Sequence, residues 1–169
     1  MFEIKLASIE DIPHIVEIAY NTWFKTYENI ISKEQIDFMF GEMYTPEAIW
    51  KQMDFLGHRF FIATENGVAI GFASISEMIH EEEKTTKVHK LYFLPSTHKK
   101  GYGKKMLDYL EDILKAEGYK FIIINVNRNN PAYHFYLKLN YRVRESIDIP
   151  YGDFMLNDYV MEKNIYTFA

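Results

Sequence analysis

The spacing of hydrophobic residues changes from that of a strand to that of a helix and back in the second half of the chain. This succession restricts the fold more than any other feature. Lys87 to Leu94 reads as a strand that stops at Pro95, and Phe121 to Ile124 is a continuous apolar run, typical of a strand covered on both faces. Between them, apolar residues recur at helical spacing at Met106, Leu107, Leu110, Ile113 and Leu114. A strand, a helix and a strand in this order predict a right-handed parallel crossover.

The rest of the chain supplies further strands and helices. Phe2 to Leu6 alternates as a half-buried strand should, and Asn66-Gly67 predicts a type I′ hairpin. The hairpin strands are Phe60 to Glu65 and Val68 to Ser76, and the closing strands are Tyr141 to Ile149 and Phe154 to Lys163. Helices are predicted after Ser8, over Ser32 to Phe40, over Pro46 to Met53 and near Pro131, with the aromatic segment Tyr20 to Tyr27 left between two of them. We therefore expect an α/β fold with a mixed sheet and helices on both faces.

Composition excludes several classes of protein. The 169 residues predict one domain over 1–169, and 48% hydrophobic residues exclude intrinsic disorder. Cysteine is absent, which removes disulfides and thiolate metal sites and favours a reducing compartment, the cytoplasm. No apolar run approaches the ~20 residues of a membrane span, and the start lacks a signal-peptide pattern. A net charge of −5 disfavours nucleic acid and leaves cationic small molecules as partners.

The segment before the amphipathic helix concentrates positive charge where a helix begins. It comprises His98, Lys99, Lys100, Gly101, Tyr102, Gly103 and Lys104. The two glycines let backbone approach a ligand closely, and helix N-termini favour anions over lysines. A pyrophosphate would satisfy the free N–H groups and the lysines together. The alternative is an ordinary solvated turn, because the segment is neither a Walker loop nor a full dinucleotide fingerprint.

Two motifs resemble the GNAT superfamily of acetyl-CoA-dependent N-acetyltransferases. Leu91-Tyr92-Phe93-Leu94-Pro95 followed by Gly101-Tyr102-Gly103 is similar to its motif A, and Asn129 to Tyr141 is similar to its motif B. His98 replaces the usual Arg or Gln, Asn140-Tyr141 replaces Gly-Phe, and the strand glutamate that many relatives use as a base is missing. The resemblance implies a mostly antiparallel GNAT-like sheet of about six to seven strands with one parallel crossover.

The resemblance also implies the cofactor contacts. Leu91, Tyr92 and Phe93 would expose backbone groups to the pantetheine arm of acetyl-CoA, and His98 to Lys104 would hold the pyrophosphate. Asn129 and Ala132 of motif B would also face the cofactor. No metal is expected.

Acetyl transfer needs a neutral amine and a proton for the departing thiolate. By resemblance, Tyr136 is the proton donor to the CoA sulfur; without the motif it would read as a core tyrosine. His89 is the nearest titratable side chain on the central strand and a candidate base, although such histidines are often merely buried and hydrogen-bonded. Glu77 acting through water, or no dedicated base at all, are the alternatives.

The N-terminal third resembles bacterial polyamine N-acetyltransferases around Trp23, Thr26-Tyr27 and the segment up to Tyr44. Trp23 and Tyr27 could stack on alkylammonium groups, and acidic residues such as Glu28, Glu77 and Glu81 to Glu83 could attract a polycation. Trp23 could equally be core, and the acidic run could be solvated loop. A polyamine such as spermidine is the leading acceptor that the resemblance implies.

Three rival functions stay open. The first is acetylation of peptide or protein amino groups, the second a CoA-binding sensor that has lost catalysis, and the third a nucleotide-binding protein. The sequence does not fix the oligomeric state, and a homodimer is compatible with it.

Overall fold

The computed structural model describes residues 1–80 and 83–166. Strands among these residues are β1 (Phe2–Leu6), β2 (Arg59–Glu65), β3 (Val68–His80), β4 (Glu83–Phe93), β5 (Phe121–Asn127), β6 (Arg142–Tyr151) and β7 (Phe154–Asn164). The α-helices are α1 (Ile12–Tyr27), α2 (Lys33–Met43), α3 (Pro46–Asp54), α4 (Tyr102–Ala116) and α5 (Ala132–Lys138). Short 3₁₀ turns cover Ile9–Asp11 and Pro95–Thr97. None of the helices described here is long and apolar enough to cross a membrane.

The strands form one mixed sheet in the order β1-β2-β3-β4-β5-β7-β6. The pair β4 and β5 is parallel, with Thr85 opposite Phe121 and Val88 opposite Ile124. The pairs β1–β2, β2–β3, β5–β7 and β6–β7 are antiparallel. Because α4 connects the two parallel strands, the predicted crossover is confirmed, and so is the predicted fold class.

The hairpin between β2 and β3 has the predicted geometry. Glu65 pairs with Val68, and the intervening Asn66 and Gly67 have φ angles of 51° and 83°. Positive φ at both central residues is the requirement of a type I′ turn. The tight turn places Glu65 at the tip of the hairpin.

The first helix is longer than the sequence patterns predicted. The segment Tyr20 to Tyr27, which carried no prediction, forms the second half of α1. Its buried stripe continues from Ala19 to Thr22 and Trp23, and the Thr22 hydroxyl donates to the Ile18 carbonyl at 2.8 Å. The buried face of this half of α1 includes a threonine and a tryptophan. Hydrophobic periodicity predicts a helix more readily when the buried residues are aliphatic, so this half was not predicted.

By packing, the chain divides into two compact units. The first, which we call unit 1, comprises Met1–Ser76 and Lys90–Tyr109, and the second, unit 2, comprises Glu77–His89 and Leu110–Ala169. In unit 1 the consecutive residues Phe60 and Phe61 point to opposite faces of β2, and both are buried. Phe61 packs against Tyr109 of α4. The core of unit 2 contains the predicted apolar run Ile122 to Ile124 and Leu110 and Leu114 of α4, all at most 3% exposed.

Candidate active site

The loop before α4 adopts a conformation suited to an anion. Lys99 and Gly101 have φ angles of 70° and 77°, both in the left-handed region. Tyr102 and Gly103 open the helix, so their N–H groups lie in the first turn, where backbone donors have no intrahelical acceptor. A Cβ placed on Gly101 would meet no atom within 4 Å, so the backbone there is open to a ligand. The predicted glycine-rich turn is therefore an exposed cradle of backbone donors and lysines.

The end of β4 holds this loop in place. The His98 ring contacts the Phe93 carbonyl through Nε2 at 3.0 Å, and the Tyr102 ring lies 6.2 Å from that of Phe93. Phe93 also fills the space above Gly71, where a Cβ would come within 2.5 Å of the ring. Leu91 and Tyr92 are half-buried. The structure thus brings together the predicted pantetheine strand and the predicted pyrophosphate loop.

A carboxylate at the hairpin tip interacts with two of the side chains that are predicted to bind an anion. Glu65 accepts a hydrogen bond from the Tyr102 hydroxyl and an ion pair from Lys100 at 3.4 Å. The Tyr102 hydrogen bond, followed by Lys100, lowers the pKa of Glu65, and the same hydrogen bond raises the pKa of Tyr102. Lys104 is paired with Asp108 one turn further along α4 at 2.8 Å. Sequence analysis did not anticipate Glu65.

The aromatic residues that are predicted to bind the acceptor substrate lie together in unit 1, with Trp23 at the centre. Trp23 is 2% exposed and donates its indole N–H to the Ile36 carbonyl at 3.1 Å. Its ring lies 4.3 Å from that of Tyr27, 5.2 Å from Tyr44 and 6.4 Å from Tyr92. We call Trp23, Tyr27, Tyr44 and Tyr92 the aromatic cluster. Tyr27 and Tyr92 are its half-buried members, whereas Trp23 packs behind them.

The hydroxyl groups of this cluster are linked. Tyr27 and Tyr44 each form a side-chain hydrogen bond with Tyr92, and burial, followed by these two phenols, raises the pKa of Tyr92 well above its usual value. Glu28 follows directly as the C-terminal cap of α1 and is exposed to solvent. It is adjacent in sequence to the cluster and is not buried in it.

Lys90 lies beneath the cluster and was missed by sequence analysis. Its side chain is buried at 6% exposure, and Nζ donates to Oε1 of Gln52 at 2.5 Å. Burial lowers the pKa of this lysine to about 7. The sequence carries no local signal for its burial, because its contacts with Gln52, Tyr44 and Phe60 join segments that are distant along the chain.

In unit 2, Tyr136, which is predicted to donate a proton to the CoA thiolate, lies in α5 with 7% exposure. Its ring is 5.6 Å from that of Tyr141 in an edge-on arrangement. Asn130 precedes the helix and accepts a hydrogen bond from the Ala132 N–H at 2.9 Å. Asn129 precedes Asn130 in the turn that follows β5, and its N–H donates to the Asn127 side chain.

The two candidate bases also lie in unit 2. His89 is half-buried in β4, and Glu77 is exposed in β3. Lys87 of β4 and Asp158 of β7 are a further half-buried acid–base pair: burial lowers the pKa of Lys87 and raises that of Asp158, while each partly offsets the other by its charge. Lys87 belongs to the β4 segment Lys87 to Lys90, in which the sequence has no glutamate.

Two cavities lie apart from the predicted site residues. Two cavities of about 420 and 340 Å³ are lined by residues of unit 1, and none of the predicted site residues lines either. Within residues 1–80 and 83–166, no group of three or more His, Asp or Glu side chains could hold a metal ion.

Comparison with known proteins identifies the family. Residues 22–141 match the model of the acetyltransferase (GNAT) family. The chain is 30% identical over 167 residues to the spermidine N(1)-acetyltransferase of Thermoplasma acidophilum, covering 95% of this chain and 96% of that protein. It is 28% identical over 138 residues to YuaI, an uncharacterized N-acetyltransferase of Bacillus subtilis, covering 80% of this chain and 78% of the relative.

A solved structure gives the same result. The PaiA N-acetyltransferase of T. acidophilum, determined in complex with coenzyme A, has a TM-score of 0.80 and 28% identity, covering 97% of this chain and 99% of that chain. The family match and the relatives span most of the sequence in both directions. The chain therefore belongs to the GNAT family of acetyltransferases.

Proposed function

We propose that this protein transfers the acetyl group of acetyl-CoA to a primary amine of a polyamine such as spermidine. The observation that carries the proposal is the open, lysine-rich cradle of backbone donors at the start of α4. The similarity along nearly the whole chain to a protein named spermidine N(1)-acetyltransferase supports the acceptor. The PaiA neighbour that was solved with coenzyme A supports the donor.

The residues before α4 fit a diphosphate. Backbone N–H groups at a helix start and the positive end of the helix dipole both favour an anion. The unobstructed space at Gly101 would let two phosphates approach the main chain. Lys100 forms a long, half-exposed ion pair with Glu65 and lies 5.9 Å from the centre of the Tyr102 ring; both contacts are weak, so it could turn to a phosphate at little cost. His98 and Lys99 would complete the same surface.

The chemistry is a direct transfer in which one bond replaces another. The lone pair of the neutral amine attacks the thioester carbonyl carbon, the C–N bond forms, and the C–S bond breaks with its electron pair on sulfur. Tyr136 gives its phenolic proton to that sulfur, and the amine proton leaves to a base or to water. Backbone N–H groups of Leu91 to Phe93 stabilise the carbonyl oxygen. Asn129 and Ala132 contact the cofactor arm.

The reaction also needs a base for the amine and contacts that hold the acceptor. His89, half-buried on β4, is the proposed base, with Glu77 acting through water as the alternative. Tyr27 is the aromatic face offered to an alkylammonium group, Trp23 stiffens it from behind, and the exposed Glu28 supplies negative charge at the rim. Small-molecule amines in the cytoplasm are the proposed partners.

The test is release of CoA thiol from acetyl-CoA in the presence of spermidine, spermine or an amino-terminal peptide, with thermal stabilisation by CoA measured in parallel. We expect turnover with the polyamines and stabilisation by CoA at concentrations above Kd. Turnover with the peptide alone would assign the protein-acetylating function. Stabilisation without turnover on any amine would assign a sensor. Stabilisation by ATP or NAD but not by CoA would overturn the proposal entirely.

A further inference from the structure

A buried amine that forms no ion pair with a carboxylate of the described residues lies next to the Tyr44 ring of the aromatic cluster. Lys90 sits at the unit 1 end of β4, and its Nζ is 5.4 Å from the centre of the Tyr44 ring and 5.6 Å from that of Phe60. Its hydrogen-bond acceptor is the side-chain oxygen of Gln52 in α3. The amine is therefore in contact with α3, with β2 and with Tyr44, the residue that follows α2.

Among the described residues, the side chains in contact with Lys90 are an amide and two aromatic rings, those of Gln52, Tyr44 and Phe60. Across residues 1–80 and 83–166, no carboxylate forms an ion pair with Nζ, and burial is the sole cause of its lowered pKa. The two aromatic rings offer weak compensation when the amine is protonated. A methionine opposite a leucine in place of Gln52 would fill the same space with no buried charge to desolvate, so packing alone does not require the amine.

The amine is connected to the cluster by short steps. Gln52 also donates from Nε2 to the Met43 carbonyl at 3.0 Å, which fixes the corner that presents Tyr44. The Tyr44 ring lies 5.2 Å from Trp23 and 6.1 Å from Tyr92. The Tyr44 ring lies between Nζ and the outer ring of Tyr92, so a cation held at the edge of the outer rings would be separated from Nζ by a distance on the order of 10 Å.

We propose that the charge state of Lys90 controls binding of the cationic acceptor at the aromatic cluster, with the neutral amine permitting binding and the ammonium opposing it. The inference rests on the proposed polyamine function and deepens it. At about 10 Å in a partly buried environment, one ammonium weakens binding of another on the order of tenfold. Because the lysine loses its proton near pH 7, affinity for spermidine should rise through this pH. Spermidine amines, like other alkylammonium groups, stay charged in this range.

The experiment is calorimetric titration of the full-length protein with spermidine at pH 6, 7 and 8. For the wild type we expect Kd to fall about tenfold from pH 6 to pH 8. Lys90→Met, which has no charge at any pH, should bind at pH 6 as tightly as the wild type does at pH 8. Lys90→Arg, which stays charged, should bind weakly at all three values. Lys51→Met, an exposed lysine of α3 paired with Glu47, is the matched control and should follow the wild type.

A second measurement keeps the proposal testable if the variants fold poorly. Because Lys90→Met leaves the Gln52 oxygen without its donor, the double variant Lys90→Met/Gln52→Leu removes both groups together. Nitrogen NMR of labelled lysine in the wild type should show one Nζ resonance, absent from the variant, that titrates near pH 7. Titration of that resonance near pH 10 would overturn the inference.

The outcomes separate this inference from the function on which it rests. Spermidine binding with the same affinity at every pH and in every variant would overturn the role of Lys90 and leave the polyamine function intact. Failure of spermidine to bind any variant at any pH would overturn the acceptor and the inference with it. Binding that follows the expected pattern would support both.

Discussion

Among single side chains, Tyr136 is the one whose removal should separate chemistry from binding. Tyr136→Phe deletes only the phenolic hydroxyl and keeps the ring that packs against Tyr141. Since a positioned acid contributes about 10²- to 10⁴-fold to such a step, we expect kcat to fall at least roughly 100-fold. Kd for acetyl-CoA should change less than about threefold. Steady-state kinetics and calorimetry measure the two quantities.

Tyr133→Phe is the control for this experiment. Tyr133 lies in the same short helix and packs on Tyr159 at 5.1 Å, so it tests whether any tyrosine of α5 is sensitive to loss of its hydroxyl. We expect near-normal kcat. A parallel loss of acetyl-CoA binding in Tyr136→Phe would instead show that Tyr136 is a packing residue.

Residue by residue, motif-bearing positions were easier to predict than context-dependent ones. Asn140 stands where motif B has glycine and, as an asparagine can, adopts left-handed backbone with a φ of 71°; Gly101, which was expected to let the main chain approach a ligand, has no atom within 4 Å of a Cβ built on it. Lys90 and Glu65 could not be predicted to be special, because nothing local in the sequence indicates that one is buried without a carboxylate or that the other meets Tyr102. Such properties arise only from contacts between distant segments.

Among the structural elements, the loop that leads into α4 gives a prediction that uses its open geometry. Gly101→Glu places a carboxylate at the proposed pyrophosphate position, where repulsion at about 5 Å should weaken acetyl-CoA binding on the order of 30-fold. The left-handed φ also disfavours glutamate. Calorimetric Kd at low and moderate salt measures the effect, and screening should reduce it as salt increases.

Gly101→Asn separates charge from backbone strain. Asparagine tolerates left-handed φ better than other residues, and a Cβ at this position meets no neighbour within 4 Å, so binding should stay within a few-fold of normal. Unchanged affinity in Gly101→Glu would place the phosphates elsewhere. Equal losses in both variants would indicate that glycine serves the loop conformation alone.

The order of the elements was largely predictable, and their ends were not. The Asn66-Gly67 turn and the crossover through α4 have strong local chemistry, and both are confirmed. The segment 20–27 was not assigned because its buried stripe includes Thr22 and Trp23. Of the predicted acidic run, Glu81 and Glu82 lie outside the described residues, and Glu83 begins β4. Strand ends depend on pairing partners, which periodicity does not reveal.

For the molecule as a whole, the buried charge of Lys90 should appear in the pH dependence of stability. Its pKa is 10.5 for a free lysine and about 7 in the folded protein, so between these values the unfolded chain binds the extra proton. The free energy of unfolding therefore rises with pH from about 7 toward 10. Below pH 7 the amine is protonated in both states, and the full cost of burying its charge lowers the stability of the folded protein. At 1.36 kcal/mol per pKa unit the penalty is at most roughly 5 kcal/mol.

Lys90→Met/Gln52→Leu removes this linkage while filling the space with apolar atoms. We expect the double variant to exceed the wild type in free energy of unfolding by about 2–4 kcal/mol at pH 6, because a buried unpaired charge is replaced by a hydrophobic contact. The difference should shrink steadily toward pH 9.5, where the wild-type amine is neutral in the folded state. Urea unfolding at several pH values measures both curves, with Lys51→Met as the surface control. A difference that does not depend on pH would mean that Lys90 keeps an ordinary pKa, since only a proton taken up on unfolding can make the two curves converge.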